Sequence, residues 1–391
     1  MEIVNIKDTS HKLYYVGGVV RDELLGKPSL DVDIVYEGNA IEDVQYIITT
    51  ANDVILNLFQ NRNIELKKNY IAEIVRTNPD FGTVRVVIDG NETDFASTRT
   101  ERYDRKGHLP QVENIGCSLK EDVKRRDFTI NSLYKSVSSG EILDFTGGLE
   151  DLKNKKVRIL HNQSFVDDPT RIIRALKFTH RFGFELEENT KKLRDEYLNN
   201  INYDMCYKRI KKELIETLGL NSQELFEEFI SDRIYKLLTP NEVQIPNTNI
   251  ENLINKFVPT SGNIWLIYAG ILGDLTRLEL TKKEQKILND FEEIKNFKSN
   301  ESFEIYKNFE GKETESIILY GILVDEEIAE HYLKDLHNIK ISITGSDLTE
   351  LGIPPSAKYK EIFDFLLKEK IKNPKLTIEN EIEIVKSNFY K

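Results

Sequence analysis

The sequence is poor in the residues that build disulfide-stapled or metal-clipped domains. Only Cys117 and Cys206 occur in 391 residues, without CxxC spacing, which argues against a disulfide framework and against a thiolate metal site. The six histidines are scattered and form no HExxH, so a zinc hydrolase is disfavoured. No apolar run approaches the roughly 20 residues that span a bilayer. The N-terminal MEIVNIKDTSHK lacks the basic-then-apolar pattern of a signal peptide. Together these absences set the expectation of a reducing, cytoplasmic setting with no membrane partner. Positive charge is short overall: the net charge of −12 argues against non-specific binding to nucleic acid. The stretch from Lys120 to Glu213 is the exception, with 20 Lys+Arg against 16 Asp+Glu. That balance permits a localised phosphate-binding face and equally describes an ordinary mixed surface.

The composition that is present, 39% hydrophobic and 31% charged, is that of a globular, highly charged chain. Its length exceeds one simple core, and two to four packed units are expected. The most informative stretch is Tyr15 to Glu37, YVGGVVRDELLGKPSLDVDIVYE. Leu13 to Val16 read as a strand that enters the Gly17-Gly18 turn, and Val19 to Leu25 as a short helix. The glycine pair lets backbone N–H groups approach an anion closely. Asp31 and Asp33 then alternate with apolar residues at the head of a second strand, Asp31 to Tyr36. A strand period of two puts both carboxylates on one face. Two such groups repel each other and resist burial, and a divalent cation removes the conflict. Mg²⁺ beside substrate phosphates is the usual occupant.

Downstream, Asn39 to Ala51 carries a helical stripe of Ile41, Val44, Ile47 and Ile48. Tyr70 to Val75, Thr83 to Ile88 and Glu92 to Ala96 read as strands, with Asp89-Gly90 as a tight turn between the last two. This predicts a small, largely antiparallel sheet flanked by helices. Asp94 is either a third carboxylate of the site, an exposed strand residue, or a partner of Arg99. Residues 97–124 mix Gly, Pro and charge without a clean period and read as a long loop. The following Arg125 to Asn131, RRDFTIN, joins polar groups able to hold a triphosphate and ribose to two apolar anchors; it also reads as a solvated helix start with a buried Phe. Ile142 to Phe145 and Val157 to Leu160 read as strands, joined by a short charged connection over Leu149 to Lys156.

From Ser164 onward helical signals dominate. Asp168-Pro169 is a strong helix start, with Asp as N-cap and Pro at the first helical position. Arg171, Arg174 and Lys177 recur every three residues along one basic flank, and Phe182-Gly183-Phe184 closes the helix. Further helices are expected over Glu188 to Leu198, Tyr207 to Leu218 (with Arg209 and Glu213 as an i,i+4 pair), Glu224 to Leu238, Ile264 to Leu272, Lys282 to Lys295, Thr314 to Leu323, Glu326 to Leu333 and Lys360 to Lys370. Asn241 to Asn249 reads as a loop.

Four ordered motifs carry a family resemblance. GGVVRD (Gly17 to Asp22) with DVD (Asp31 to Asp33), RRDFTIN (Arg125 to Asn131) and DDPTRIIRALKF (Asp167 to Phe178) occur in the order and approximate spacing of the class II tRNA nucleotidyltransferases. That family comprises the CCA-adding, CC-adding and A-adding enzymes and the related bacterial poly(A) polymerases. The late ITGSDLTELGIPP is similar to the family's tail. The resemblance implies an α+β chain of the DNA polymerase β-like superfamily. Its nucleotidyltransferase head, with a small mixed or antiparallel sheet, would cover 1–160. An all-helical neck (161–220), body (221–335) and tail (336–391) would follow. The neck would recognise the base and the tail would bind tRNA. The implied reaction is template-independent transfer of CMP and AMP from CTP and ATP to the 3′ end of tRNA, with Mg²⁺ as cofactor.

Carried over by position, Asp31 and Asp33 would be the catalytic, metal-binding carboxylates. Gly18 and Arg21 would contact the triphosphate, and Arg126, Asp127 and Asn131 the triphosphate and ribose. Asp168 and Arg171 would read the base, with Arg174 nearby. Cytosine and adenine both present an exocyclic amino donor beside a ring-nitrogen acceptor, which an Asp and an Arg match; uracil and guanine reverse the pattern. Departures from the family are Asp167 where many members have Glu, Lys177 where Arg is common, and Ser356 where Gly is usual. The stretch Arg99 to Pro110 is full-length, which disfavours CC-only addition. Full CCA synthesis and A-only addition stay open. A poly(A) polymerase and a non-catalytic RNA-binding protein are the further alternatives.

Overall fold

The computed structural model describes residues 12–28, 33–50 and 71–389. Nine strands position the first part of the chain: β1 (Leu13–Val16), β2 (Ile34–Tyr36), β3 (Ala72–Asn78), β4 (Thr83–Ile88), β5 (Asn91–Ser97), β6 (Arg99–Arg102), β7 (Gln111–Ile115), β8 (Leu133–Ser136) and β9 (Ile142–Asp144). Seven of them form one sheet in the order β3-β4-β5-β2-β1-β8-β9. Its neighbours are antiparallel except β2 and β5, which run parallel with Ile34 opposite Phe95. The mixed, mainly antiparallel sheet read from the sequence is therefore present. In β4 the alternation TVRVVI buries Val84, Val86 and Ile88 on one face, and the Asp89-Gly90 turn returns the chain into β5 with Ile88 opposite Asn91. Helix Ala40–Thr50 buries Val44, Ile47 and Ile48. The first residues expected of the second strand, Asp31 included, lie outside the described residues.

Several local expectations are corrected. Residues 97–124 are not one loop: β6 and β7 pair as a hairpin with Arg99 opposite Ile115, followed by helix Leu119–Asp122. Charged residues on both strands hid the period of two. Ser118 and Glu121 form a reciprocal capping box, which starts that helix. The connection over Leu149 to Lys156 contains helix Gly148–Lys153, whose first N–H groups are gathered by Asp144. Of the strand expected over Val157 to Leu160, only Lys156–Val157 pairs in a ladder, parallel to Glu185–Leu186.

The chain divides into two compact units. The first covers residues 1–213 and 232–237, and the second 214–231 and 238–391. In the first, Val16, Val35, Leu119, Val123 and Tyr134 form a core between the sheet and helix Leu119–Asp122. Helix Thr170–Phe182 buries Ile172, Ile173, Ala175 and Leu176, and Phe178 meets Phe128 edge-to-face at 5.7 Å. Arg209 and Glu213 do not pair with each other: Arg209 bonds to Asp168, and Glu213 accepts from Arg174 and Lys177.

The second unit is helical. Helix Thr314–Leu323 is buried on every side from Glu315 to Ile322 and lies within a core that includes Ile305, Phe309, Ile317 and Tyr332. A second core gathers Ile343, Leu348, Ile362, Leu366 and Val385. The helix expected over Glu224 to Leu238 ends at Ser231; Arg233 adopts φ 60°, and the 3₁₀ turn Ile234–Leu237 that follows belongs to the first unit. Helices Ile250–Phe257, Ser302–Phe309 and Ile378–Phe389 were not expected from the sequence. No helix among the described residues is long and apolar enough to cross a membrane.

Candidate active site

The Gly17-Gly18 turn opens onto a cavity of about 410 Å³ in the first unit. Gly17 has φ 72°, a conformation that favours glycine, and a Cβ built on it would lie 3.8 Å from Asp33 Oδ2. The turn and the carboxylate at the head of β2 are thus held face to face. Arg21 and Asp22 follow on helix Gly18–Leu24 and are both buried. Arg21 Nε donates to Asp22 at 2.8 Å and Nη1 to Asn131 Oδ1 at 2.5 Å, while its guanidinium lies 4.5 Å from the Phe182 ring centre and 5.1 Å from that of Phe178. Arg181 reaches the other Asp22 oxygen at 3.3 Å.

The opposite wall comes from residues 125–131, more than a hundred positions later. Its anchor is Asp122, which is fully buried. Asp122 accepts from Arg125 Nε at 2.9 Å, Arg126 Nη2 at 2.9 Å, the Tyr134 hydroxyl at 2.7 Å and the Arg99 N–H at 3.0 Å. Burial alone would raise its pKa, but the two guanidinium groups and these hydrogen bonds hold it well below the usual carboxylate range. Asp127 sits in the cavity wall itself. It accepts from Arg174 Nη2 at 2.6 Å and Nε at 2.9 Å, from Asn131 Nδ2 at 3.1 Å and from the Phe128 N–H at 2.8 Å. Burial opposes ionisation, yet Arg174 and these donors lower its pKa to about 2. Arg174 also donates to Glu213 at 3.1 Å.

A second cavity of about 270 Å³ shares Arg125, Asp127 and Arg174 with the first, so the two form one crevice. Asp168 and Arg171 line this second part. Asp168 Oδ1 accepts from Thr170 Oγ1 at 2.6 Å and the Thr170 N–H at 3.2 Å, which retains a capping role although the helix begins at Thr170. Its Oδ2 accepts from Arg209 at 2.5 Å. Arg171 donates to Ser164 Oγ at 2.6 Å and to the Arg125 carbonyl at 2.9 Å. Tyr103, at the start of the β6–β7 connection, lines the same space, and burial pushes its pKa up to about 12.

That connection is fastened to the helical segments behind it. The Gly107 N–H donates to the Asp167 carbonyl at 3.0 Å, and the Gly107 carbonyl accepts from Cys206 N–H at 2.9 Å. Lys106 pairs with Asp167, and Arg105 with Asp204. Gly107 has φ 77°, and a Cβ there would come within 3.0 Å of Met205 Cβ.

Of the residues singled out from the sequence, Gly18, Arg21, Asp33, Arg126, Asp127, Asn131 and Arg174 line the first cavity. Asp168 and Arg171 line its continuation. Asp31 lies outside the described residues. Asp94 does not pair with Arg99, which bonds to Glu101; it is held in two bonds by Arg85, at 2.7 and 2.8 Å. Asp33 and Asp94 both line a further cavity of about 380 Å³ on the strand side. Sequence reasoning missed Arg181, and it held Asp22, Arg125 and Phe178 within their motifs without giving them a role of their own. Their signal was available: Arg171, Arg174, Phe178 and Arg181 are spaced 3, 4 and 3, which is one helical stripe, whereas Lys177 turns to Glu213. Tyr103 and Arg209 carried no local signal.

Comparisons with known proteins agree with this geometry. Residues 13–158 match the family described as the Poly A polymerase head domain. The A-adding tRNA nucleotidyltransferase of Geobacter sulfurreducens is 30% identical over 95% of this chain, which spans 44% of that relative's length. The A-adding tRNA nucleotidyltransferase of Halalkalibacterium halodurans is 28% identical over 94% of this chain and 86% of its own length. A structure of the Thermotoga maritima CCA-adding enzyme complexed with tRNA superposes with a TM-score of 0.67 at 26% identity, covering 96% of this chain and 91% of that one. Residues 13–158 are thus similar to a Poly A polymerase head domain, and the chain is similar along nearly its whole length to A-adding and CCA-adding tRNA nucleotidyltransferases.

Proposed function

We propose that this protein is a nucleotidyltransferase that adds AMP and CMP, from ATP and CTP, to the 3′ end of tRNA, building or completing the CCA terminus. One observation carries the reading. A single crevice joins Gly18, Arg21 and Asp33 from the start of the chain to Arg126, Asp127, Asn131 and Arg174, and continues to Asp168 and Arg171. A triphosphate, a ribose and a base would be held along such a crevice in that order. The related A-adding and CCA-adding enzymes support this substrate class, and a cytoplasmic setting suits it.

In this reading Arg21 and Arg126 bind phosphate oxygens from fixed positions. Arg21 is clamped by Asp22 and Asn131, and Arg126 by Asp122 and Tyr134, so little side-chain freedom is lost when substrate arrives. Asp127 holds Arg174 and Asn131 in place beside the ribose. Asp168 uses two bonds on Oδ1 and one on Oδ2, which leaves acceptor capacity for an exocyclic amino group. Arg171 spends two of its five N–H groups on Ser164 and Arg125, which leaves donors for a ring nitrogen.

The donor chemistry at Asp33 fits Mg²⁺: the carboxylate faces the Gly17 turn, and no histidine or cysteine among the described residues lines the cavity. Asp33, with Asp31, would hold the ion. The ion would neutralise charge on the phosphate oxygens, and in-line displacement would gain from that. For the later part of the chain we propose a neck over 161–220, a body over 221–335 and a tRNA-binding tail over 336–391, after a head over 1–160.

The test is incorporation of labelled CTP or ATP, with Mg²⁺, into three tRNAs that lack the whole CCA end, end in the first C, or end in CC. Restoration of all three is the expected result. The A-adding names of the relatives favour a narrower second reading, in which only the CC end accepts a single A. Long A tails would instead identify a poly(A) polymerase, and no incorporation into any RNA would refute the reaction. Asp33→Ala should abolish incorporation while leaving tRNA binding within about twofold.

A further inference from the structure

The first unit has another cavity, of about 760 Å³, behind the segment that walls the nucleotide crevice. Val123–Arg125 and Thr129–Asn131 are 3₁₀ turns, so successive side chains diverge by roughly a third of a turn. Arg125, Arg126, Asp127 and Asn131 face the crevice, whereas Val123, Lys124 and Thr129 face this second space. The volume is in the roughly 300–1,000 Å³ range of ligand sites.

Its charged lining is of one sign. Lys120, Lys124 and Arg158 contribute to it, beside the neutral His161, and no carboxylate among the described residues does. The crevice next door differs, since Asp22, Asp33 and Asp127 stand among its arginines. Arg158 is already neutralised by Asp151 at 3.0 Å and Glu187 at 3.5 Å. Lys120 and Lys124 are exposed and make no ion pair among the described residues, so their charge is available. Phe145 is 37% exposed and lies beside them, with its ring centre 5.9 Å from Lys120 Nζ. Burial, and then Arg171, lower the His161 pKa, so its ring is neutral near pH 7 and can donate or accept toward a base edge.

Two free ammonium groups beside an exposed aromatic ring are the chemistry that holds a single-stranded nucleotide, phosphate on the cations and base on the ring. We propose that this cavity binds an unpaired nucleotide of the RNA substrate, with its phosphates on Lys120 and Lys124 and its base stacked on Phe145. The proposal rests on the RNA-directed reading above. It places an upstream nucleotide of the RNA behind residues 123–131, while the 3′ end itself enters the crevice on their other side to meet the incoming nucleotide.

The test uses the full chain with tRNA ending in CC, ATP and Mg²⁺, comparing the double variant Lys120→Gln/Lys124→Gln, Phe145→Ala and Phe145→Tyr. The double variant should raise KM for tRNA about fivefold or more and leave KM for ATP within about twofold. The plot of log KM for tRNA against log salt should become shallower by about 1.4, at about 0.7 per phosphate contact on a single strand. Phe145→Ala should weaken tRNA binding about fivefold or more, and Phe145→Tyr should restore it, because stacking needs only a π-face. Anisotropy of labelled tRNA reads the same variants without turnover. If the unaltered protein incorporates nothing, the proposed reaction fails; an unchanged anisotropy affinity in the variants overturns the cavity assignment independently. A rise in KM for ATP with tRNA affinity unchanged would make this a free-nucleotide site and would equally overturn it.

Discussion

Arg174 ties separate parts of the chain together through one guanidinium, bonding Asp127 on the crevice wall and Glu213 in helix Tyr207–Leu218. Replacing it with alanine strips Asp127 of the guanidinium that grips it and leaves Glu213 with Lys177 alone. Arg174→Ala should therefore cost about 1–3 kcal/mol of stability in denaturant melts. It should reduce nucleotide incorporation at least about tenfold. Arg174→Lys should recover stability better than activity, since an ammonium restores charge but not the two-pronged grip on Asp127. Asp127 also sets an acid limit. Its folded pKa of about 2 lies below the ordinary 3.8, so its stabilising contribution is complete above about pH 4 and disappears as pH falls toward 2. The difference corresponds to about 2 kcal/mol. Urea midpoints at pH 5 and pH 3 should fall more in the unaltered protein than in Asp127→Asn, and equal falls would show that Asp127 is not the group responsible. At this scale the candidate crevice residues were legible because phosphate chemistry needs Arg, Gly and carboxylates in recognisable strings. Tyr103 and Arg209 were not, because each reaches the crevice only through contacts distant in sequence.

Elements were legible where one face is apolar and the other polar. β4 and helix Thr170–Phe182 both have that pattern, and both were read in nearly their observed positions. The β6–β7 hairpin lacks it: Arg99, Glu101 and Arg102 on one strand and Glu113 on the other break the pattern, and pairing is held by the backbone ladder with the Arg102–Glu113 ion pair across it. Its tip depends on Gly107, whose backbone bonds both Asp167 and Cys206. Gly107→Ala forces a side chain onto φ 77° and against Met205, at a cost of about 1–2 kcal/mol. The tip should loosen, and trypsin should cut after Arg105 and Lys106 several-fold faster than in the unaltered protein. An unchanged cleavage rate would show that the docked tip does not depend on that glycine. The break after Ser231 was illegible for another reason: helical propensity continues through the sequence while Arg233 takes a left-handed conformation.

On the scale of the whole molecule, a net charge of −12 and an RNA substrate conflict unless the positive charge is gathered. Residues 120–213 gather it, with Lys120, Lys124 and the crevice arginines Arg125, Arg126, Arg171, Arg174, Arg181 and Arg209 among them. Binding of tRNA should accordingly weaken steeply between 50 and 200 mM salt, as counterions released on binding must be displaced again. A salt-independent affinity would count against the proposed substrate. What the sequence determined by itself was local: the α+β class, from strand-like alternation followed by helical stripes, and the motif strings of the candidate site, because each string is a short run of the residues phosphate chemistry requires. What only the tertiary structure decided was which distant residues meet. Arg21 is clamped by Asn131, 110 positions away, and Asp168 is held by Arg209 where an i,i+4 pair with Glu213 was expected. Those partnerships follow from how strands and helices pack around one crevice, and contacts that long-range are set by burial and geometry that no local spacing encodes.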